Sequence, residues 1–284
     1  MRSPAPLGPS VFSRWTSRIA LFSVGVLAVA VFLHRLLSLP TPIALNLIVI
    51  AMAGAALSLL FSFFGAVGIW RTGRPGTPRI VFATLVSLGL LTWPLVYLPT
   101  FQKLPKINDI TTDAVSPPQF VTLAKMRGAG ANSVSYQGAA FAAAQKTAYP
   151  DIRPIEIDRS ADEVFELVAD TVRRLKLEIV RDEPPDLEAG RPGVIEAQDR
   201  TLILGFYDDV AIRVSGNDNQ ARVDVRSASR YGQHDLGRNA ERMRLILKEI
   251  VIRLESVVPA VRSKPKATAA KQERRPRRSR RRRR

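Results

Sequence analysis

From Ile43 to Trp70 the chain carries no charged side chain. Nothing else in the sequence constrains the fold so strongly. A bilayer core takes about 20 residues of helix, and this run exceeds that length. Two neighbours resemble it. Ile19 to Leu33 reads IALFSVGVLAVAVFL, and Leu36 to Leu39 extend it past His34 and Arg35. Ile80 to Leu98 is the third apolar run. Three membrane spans are expected, at 19–39, 43–70 and 80–98, with Arg35 snorkelling to the interface. The first run could also be read as a signal peptide with a basic leader. Against that, no small-x-small cleavage site follows and two further spans come directly after.

Pro40-Thr41-Pro42 is a tight turn suited to a helical hairpin, and Trp70, Trp93 and Tyr97 fall near span ends, where interfacial aromatics sit. Ala51, Gly54, Ala55 and Ser58 recur about one turn apart. They suit either close helix packing or plain lipid-facing surface. Arg2, Arg14 and Arg18 precede the first span, and Arg71, Arg74 and Arg79 fill the second loop, whereas the first loop offers only His34 and Arg35. The positive-inside rule then expects a cytoplasmic N-terminus. Three spans carry everything after Leu98 to the far side, the periplasm if the membrane is a bacterial inner membrane.

The formal net charge of +17 belongs largely to one end of the chain. From Arg262 onward there are thirteen Lys or Arg and one acid, and without this tract the excess falls to about +5. The tract is low in complexity and like-charged, so disorder is expected. Its arginines, Arg274, Arg275, Arg277, Arg278, Arg280, Arg281, Arg282, Arg283 and Arg284, suit anionic headgroups or envelope polymers if the tail lies outside the cytoplasm. In the cytoplasm they would suit nucleic acid, although no aromatic is interleaved for base stacking. A role in solubility alone is the plainer alternative. The chain has no cysteine and two histidines, which excludes disulfides, thiolate catalysis and a multi-histidine metal site within one chain.

The organisation expected is a cytoplasmic tail (1–18), a membrane domain (19–98), a Pro/Ala/Gly-rich connector (99–150), a soluble domain (151–258) and the Arg-rich tail (259–284). The connector reads as mostly loop, with a weak helix near Gly138 to Lys146. In the soluble domain, strands are expected at Ile152–Ile157, Leu177–Arg181, Val194–Thr201, Leu202–Val214 and Arg222–Arg230. Ser160 and Glu163 form a capping box before a helix with the stripe Val164, Phe165, Val168, Val172 and Leu175. Leu236, Ala240, Met243, Ile250 and Leu254 mark a second helix. The order β-α-β-β-β-β-α predicts an α+β two-layer domain, an antiparallel sheet with two helices in a helix-grip-like arrangement.

Four strings occur in order: PKINDITTDAVSPPQF from Pro105, YPDIRPI from Tyr149, IEAQDRTLILGFYDDVAIRV from Ile195 and VDVRSASRYGQHDLGRNAERMR from Val223. Together they resemble the family called domain of unknown function 1499, over roughly Leu104 to Leu254. The apolar runs before them are similar to those of the membrane-anchored bacterial members. Members commonly carry His or Asn before the first Asp of the Ile-x-Asp-x-Thr-Thr-Asp motif. Here it is Asn108, so histidine chemistry is not required at that position. The resemblance implies no established activity.

Candidate site residues gather around the start of the last helix: Asp199, Arg200, Asp208, Arg230, Asp235, Asn239 and Arg242. A small anionic ligand or an enzyme site is one reading of them. The other is structural: inward serines Ser227 and Ser229 closing a strand, a Gly232 turn, Asp235 as N-cap and Gly237 at a close crossing. Asp209, Arg213, Asp224 and Arg226 share a strand face and suit either cross-strand ion pairs or a binding patch for an anionic ligand. The run Asn108–Asp113 suits either an oxygen-liking cation or local Asx and Ser/Thr turns. No catalytic residue, metal or cofactor is assigned. The expectation is a non-enzymatic membrane protein presenting a binding or structural domain. A ligand-binding or enzymatic domain and a nucleic-acid-binding tail are the alternatives.

Overall fold

The computed structural model describes Gly8 and residues 10–257. The arginine tail and the expectations placed on it lie outside the described residues.

Three helices, α1 (Val11–Leu36), α2 (Thr41–Thr72) and α3 (Thr77–Leu95), form an antiparallel bundle. The first two, and the stretch Thr77–Lys103 that the third opens, are long and apolar enough to cross a membrane. The first starts well before Ile19, so Arg14 and Arg18 project from its opening turns, and Arg18 stacks on Trp15 at 5.7 Å. Pro42 sits in the first turn of α2, where its missing N–H costs nothing. The contact between α1 and α2 is built from small side chains. Ser13, Thr16, Ala20 and Ser23 of α1 are buried, as are Ala51, Ala55, Ser58 and Ser62 of α2. Thr16 Oγ1 donates to the Ser58 carbonyl at 2.8 Å and meets Ser62 Oγ at 2.7 Å, while Ser58 Oγ donates to the Thr16 carbonyl at 3.0 Å. A Cβ at Gly54 would collide with Ser23 Oγ. Of the two readings of this stripe, close helix packing holds, because small residues let backbones and hydroxyls approach.

After α3 a short helix, α4 (Leu98–Lys103), leads into the second part of the chain. Among the described residues there are six strands in one antiparallel sheet: β1 (Asp109–Thr111), β2 (Ile155–Ile157), β3 (Glu178–Glu183), β4 (Gly193–Arg200), β5 (Tyr207–Gly216) and β6 (Ala221–Ser229). The order is β1-β6-β5-β4-β3, and β2 pairs with β6 beside β1, so the two short strands share one edge. The predicted two-layer α+β architecture is observed, with α7 (Ala161–Arg174) and α8 (Arg238–Val257) on one face. Ser160 caps α7 by accepting the Glu163 N–H. Val164, Phe165, Val168 and Val172 pack with Met243, Ile246 and Ile250 over Ile195, Val210, Ile212, Val214, Val223 and Val225.

Three departures from the expected elements have physical causes. Pro154 lacks a donor and shortens β2 to Ile155–Ile157. Residues 202–206 are a loop rather than the start of β5: the Thr201 hydroxyl accepts the Phe206 N–H at 2.8 Å, and Gly205 turns at φ +77°. The third departure is β1, a strand inside the Asn-Asp-Ile-Thr-Thr-Asp run. Gln145 of α6 (Ala139–Ala148) covers its outer side, accepting from the Thr111 N–H at 3.0 Å and donating to its carbonyl at 2.6 Å. One side-chain amide thus replaces a neighbouring strand and blocks the open edge.

Candidate functional site

Side chains alternate along β4, β5 and β6, so each strand sends one polar set toward the helices and another away from them. The inward set converges on Arg242. Asp199 and Asp208 are opposite one another across β4 and β5. Arg242 Nε donates to Asp199 at 2.9 Å and Nη2 to Asp208 at 2.6 Å. Its Nη1 donates to Asn239 Oδ1 at 2.8 Å and Ser227 Oγ at 3.0 Å. Asn239 is fully buried and donates from Nδ2 to the Asn108 carbonyl at 3.1 Å and Ser229 Oγ at 3.2 Å. Burial works against the charge on Arg242, but Asp208 and Asp199 outweigh it and hold the guanidinium above its ordinary pKa.

Asp235 caps the start of α8. Its two oxygens accept the N–H groups of Gly237 at 2.9 Å and Asn239 at 3.1 Å. Burial raises its pKa, and those two N–H groups act in the opposite direction. Gly237 has φ +82°, and a Cβ there would meet the Leu104 side chain at 2.8 Å. The crossing it permits is with a side chain rather than with another backbone.

Away from the helices the sheet is also covered. Residues 113–137, which follow β1, lie over this second face, where Phe120 and Leu123 pack on Ala211 and Ala228. Arg226, fully buried, donates from Nε and Nη2 to the two oxygens of Asp109 at 3.0 and 2.7 Å. It also donates to the carbonyls of Pro118 at 3.1 Å and Val134 at 2.8 Å, and lies 4.5 Å over the Phe120 ring. Glu196 accepts the N–H groups of Val121, Thr122 and Leu123, taking up the free donors at the start of α5 (Thr122–Met126). Asp209 sits between Arg127 at 2.8 Å and Arg230 at 2.7 Å. Asp224 takes Arg213 at 2.9 Å and Arg222 at 3.1 Å, and its other oxygen accepts the Thr112 hydroxyl. Asp113 accepts the Val115 and Ser116 N–H groups and pairs with Arg213. Buried carboxylates remain charged only when paired and hydrogen-bonded in this way.

The structure therefore brings together four of the seven sequence-derived candidates: Asp199, Asp208, Asn239 and Arg242. Arg230 lies on the opposite face, and Asp235 serves the helix start. Arg200 is drawn off to the apolar helices, where its Nη2 donates to the carbonyls of Arg35 at 2.6 Å and His34 at 3.2 Å. In return Arg35 Nη1 donates to the Thr201 carbonyl at 2.9 Å, and Phe206 lies 5.3 Å from His34. Sequence reasoning missed this joint. Its one signal, a charged residue at a span end, does not name its partner.

Among the described residues no group of His, Cys, Asp and Glu could hold a metal ion. His234 is engaged elsewhere, against α4 and the residue after it: its Nδ1 accepts the Leu236 N–H, its Nε2 faces the Leu104 carbonyl at 3.3 Å, and Phe101 packs edge-on at 4.8 Å. It hydrogen-bonds neither Ser227 nor Ser229. Beside the Arg242 cluster runs a groove of about 260 Å³ lined by Leu175, Leu177, Asp199, Arg238, Glu241, Arg242, Leu245 and Ile246. Arg230, Asp235 and Asn239 do not line it.

The model of a family described as a protein of unknown function, DUF1499, matches residues 109–250. No curated protein matches the chain. The matched region opens on β1 and closes inside α8.

Proposed function

We propose, from the premise that this chain belongs to the DUF1499 family, that it is a multi-pass inner-membrane protein of a bacterium. It holds its α+β domain on the periplasmic face and acts there as a binding or structural component of the envelope rather than as an enzyme.

The observation that carries the orientation is where charge and domain fall on the bundle. The Ser10 N–H bonds the Pro75 carbonyl, so the start of α1 lies beside the loop between α2 and α3. Arg14, Arg18, Arg71, Arg74 and Arg79 are all exposed at that end. The domain contacts the other end, through Arg200 and the last turn of α1. Positive residues favour the cytoplasmic side. A non-catalytic role is supported by the polar side chains themselves: Asp199, Asp208, Arg230, Asp235, Asn239 and Arg242 each have partners within the fold.

Fusions test the orientation. Alkaline phosphatase joined after Val258 should be active, and a fluorescent protein that matures only in the cytoplasm should be dark there. The reverse pattern would overturn it and favour the cytoplasmic reading, with nucleic acid open to the tail. The groove beside Arg242, with both acidic and basic side chains in its lining, supports a second reading, a small polar ligand at the start of α8.

A further inference from the structure

We infer that the β4–β5 loop dips into the bilayer interface and gives the domain a second, non-helical hold on the membrane. The loop runs from Thr201 to Phe206, and its tip is apolar: Leu202 is 81% exposed and Ile203 62% exposed. Two adjacent large aliphatic side chains held out at a loop tip mark a contact surface, since scattered single residues are the norm for water-facing loops.

The loop is not slack. The Thr201 N–H donates to the Phe206 carbonyl at 2.8 Å, the Gly205 N–H to the Thr201 carbonyl at 3.1 Å, and Arg200 Nε to the Gly205 carbonyl at 3.2 Å. These bonds close the base, so Leu202 and Ile203 stand outward on a fixed support. Nor is the loop far from lipid. Arg200 binds the last carbonyls of α1, and Arg35 binds the base of the loop. Leu36 and Leu37, at that same end of the span, are 64% and 65% exposed. The loop thus stands where the apolar span meets the headgroups, the depth at which an apolar side chain leaves water for acyl chain while nearby arginines reach phosphate. The occupant is the lipid surface itself, because the loop is tied to a helix that is already embedded.

The inference rests on the three helices spanning a bilayer, but not on which side the domain lies. The absence of cysteine makes the test clean. Leu202→Cys, Ile203→Cys, Leu85→Cys and Asn219→Cys variants of the full chain are labelled with an environment-sensitive fluorophore and reconstituted in phosphatidylcholine vesicles. Leu85 faces outward from α3, and Asn219 lies in the exposed β5–β6 turn. Labels at 202 and 203 should be quenched by brominated acyl chains as at 85, and be at least severalfold less sensitive to iodide than at 219. Iodide quenching at 202 and 203 equal to that at 219, with 85 still protected, overturns the inference. Protection from both quenchers also overturns it, since a protein surface would then cover the loop. An iodide-accessible label at 85 would instead mean that the spans themselves had been misread.

Discussion

Arg226→Met tests whether its buried bonds to β1 and to the carbonyls of Pro118 and Val134 hold residues 113–137 onto the sheet. Methionine keeps the length of the stem and removes the charge. Asp109, itself only 3% exposed, then loses both of its guanidinium bonds, and the carbonyls of Pro118 and Val134 lose their donors. Breaking a buried pair from one side costs about 3–5 kcal/mol, because the remaining charge is stranded. That is a large share of the roughly 5–15 kcal/mol by which domains are stable, and the strain falls first on the covering segment. Hydrogen exchange on the full chain in detergent, read peptide by peptide, measures it. Amides in 113–137 should exchange about a hundredfold faster or more, since each 1.4 kcal/mol is tenfold, while those of α7 lag behind. Arg226→Met with Asp109→Leu removes the stranded carboxylate and should recover part of the loss. Recovery stays partial, because each bare carbonyl still costs about 1–3 kcal/mol. Unchanged exchange in Arg226→Met, or a double variant worse than the single, would refute the reasoning.

Asp113 is held below the usual carboxylate range: burial opposes this, but the Ser116 and Val115 N–H groups and Arg213 outweigh it. A depressed folded pKa gives stability that is present above the unfolded value near 3.9 and is lost as pH falls through the folded one. Asp113→Asn should therefore flatten part of the acid limb of a stability–pH curve, and an unchanged limb would count against the pairing. Asp235→Asn leaves one acceptor for two buried N–H groups and should cost about 1 kcal/mol in thermal melts near neutral pH; a silent substitution would mean that only one bond matters. Gly54→Ala should loosen the α1–α2 contact by about 1–3 kcal/mol, whereas Gly25→Ala, with open space around it, should not. Tryptophan emission follows this selectively, because Trp15, Trp70 and Trp93 all lie in the bundle; equal effects at the two glycines would refute the packing.

The three long helices, both amphipathic helices and the central strands were legible because hydrophobic periodicity records burial against one face. The second face of the sheet was not. Its residues, among them Glu196, Asp209, Asp224, Arg226 and Arg230, are the letters of a wet surface, yet all five are buried. Polarity in a sequence does not reveal whether the partner of a charge is water or another side chain. Strand β1 was hidden for a related reason: Asp109, Thr111 and Thr112 read as turn chemistry, and only the tertiary partners Arg226, Gln145 and Asp224 make an extended segment of them. Of the candidate cluster, the inward direction of Ser227 and Ser229 followed from strand alternation. The convergence of Asp199 and Asp208 on Arg242 needed the β4–β5 register, and that depends on the loop at 201–206. Alternation alone read this loop as strand.

The joint at Arg200 has a mechanical consequence. A body hung from a single linker can swivel about it. This domain is held at α4, where Phe101 packs on His234, and again at the end of α1, where Arg200 and Arg35 interlock. Two separate pivots leave one axis of rocking, the line that joins them. Spin about the long axis of the helix bundle is removed. Whatever meets the helical face of the sheet would then meet it at a fixed azimuth relative to the three helices.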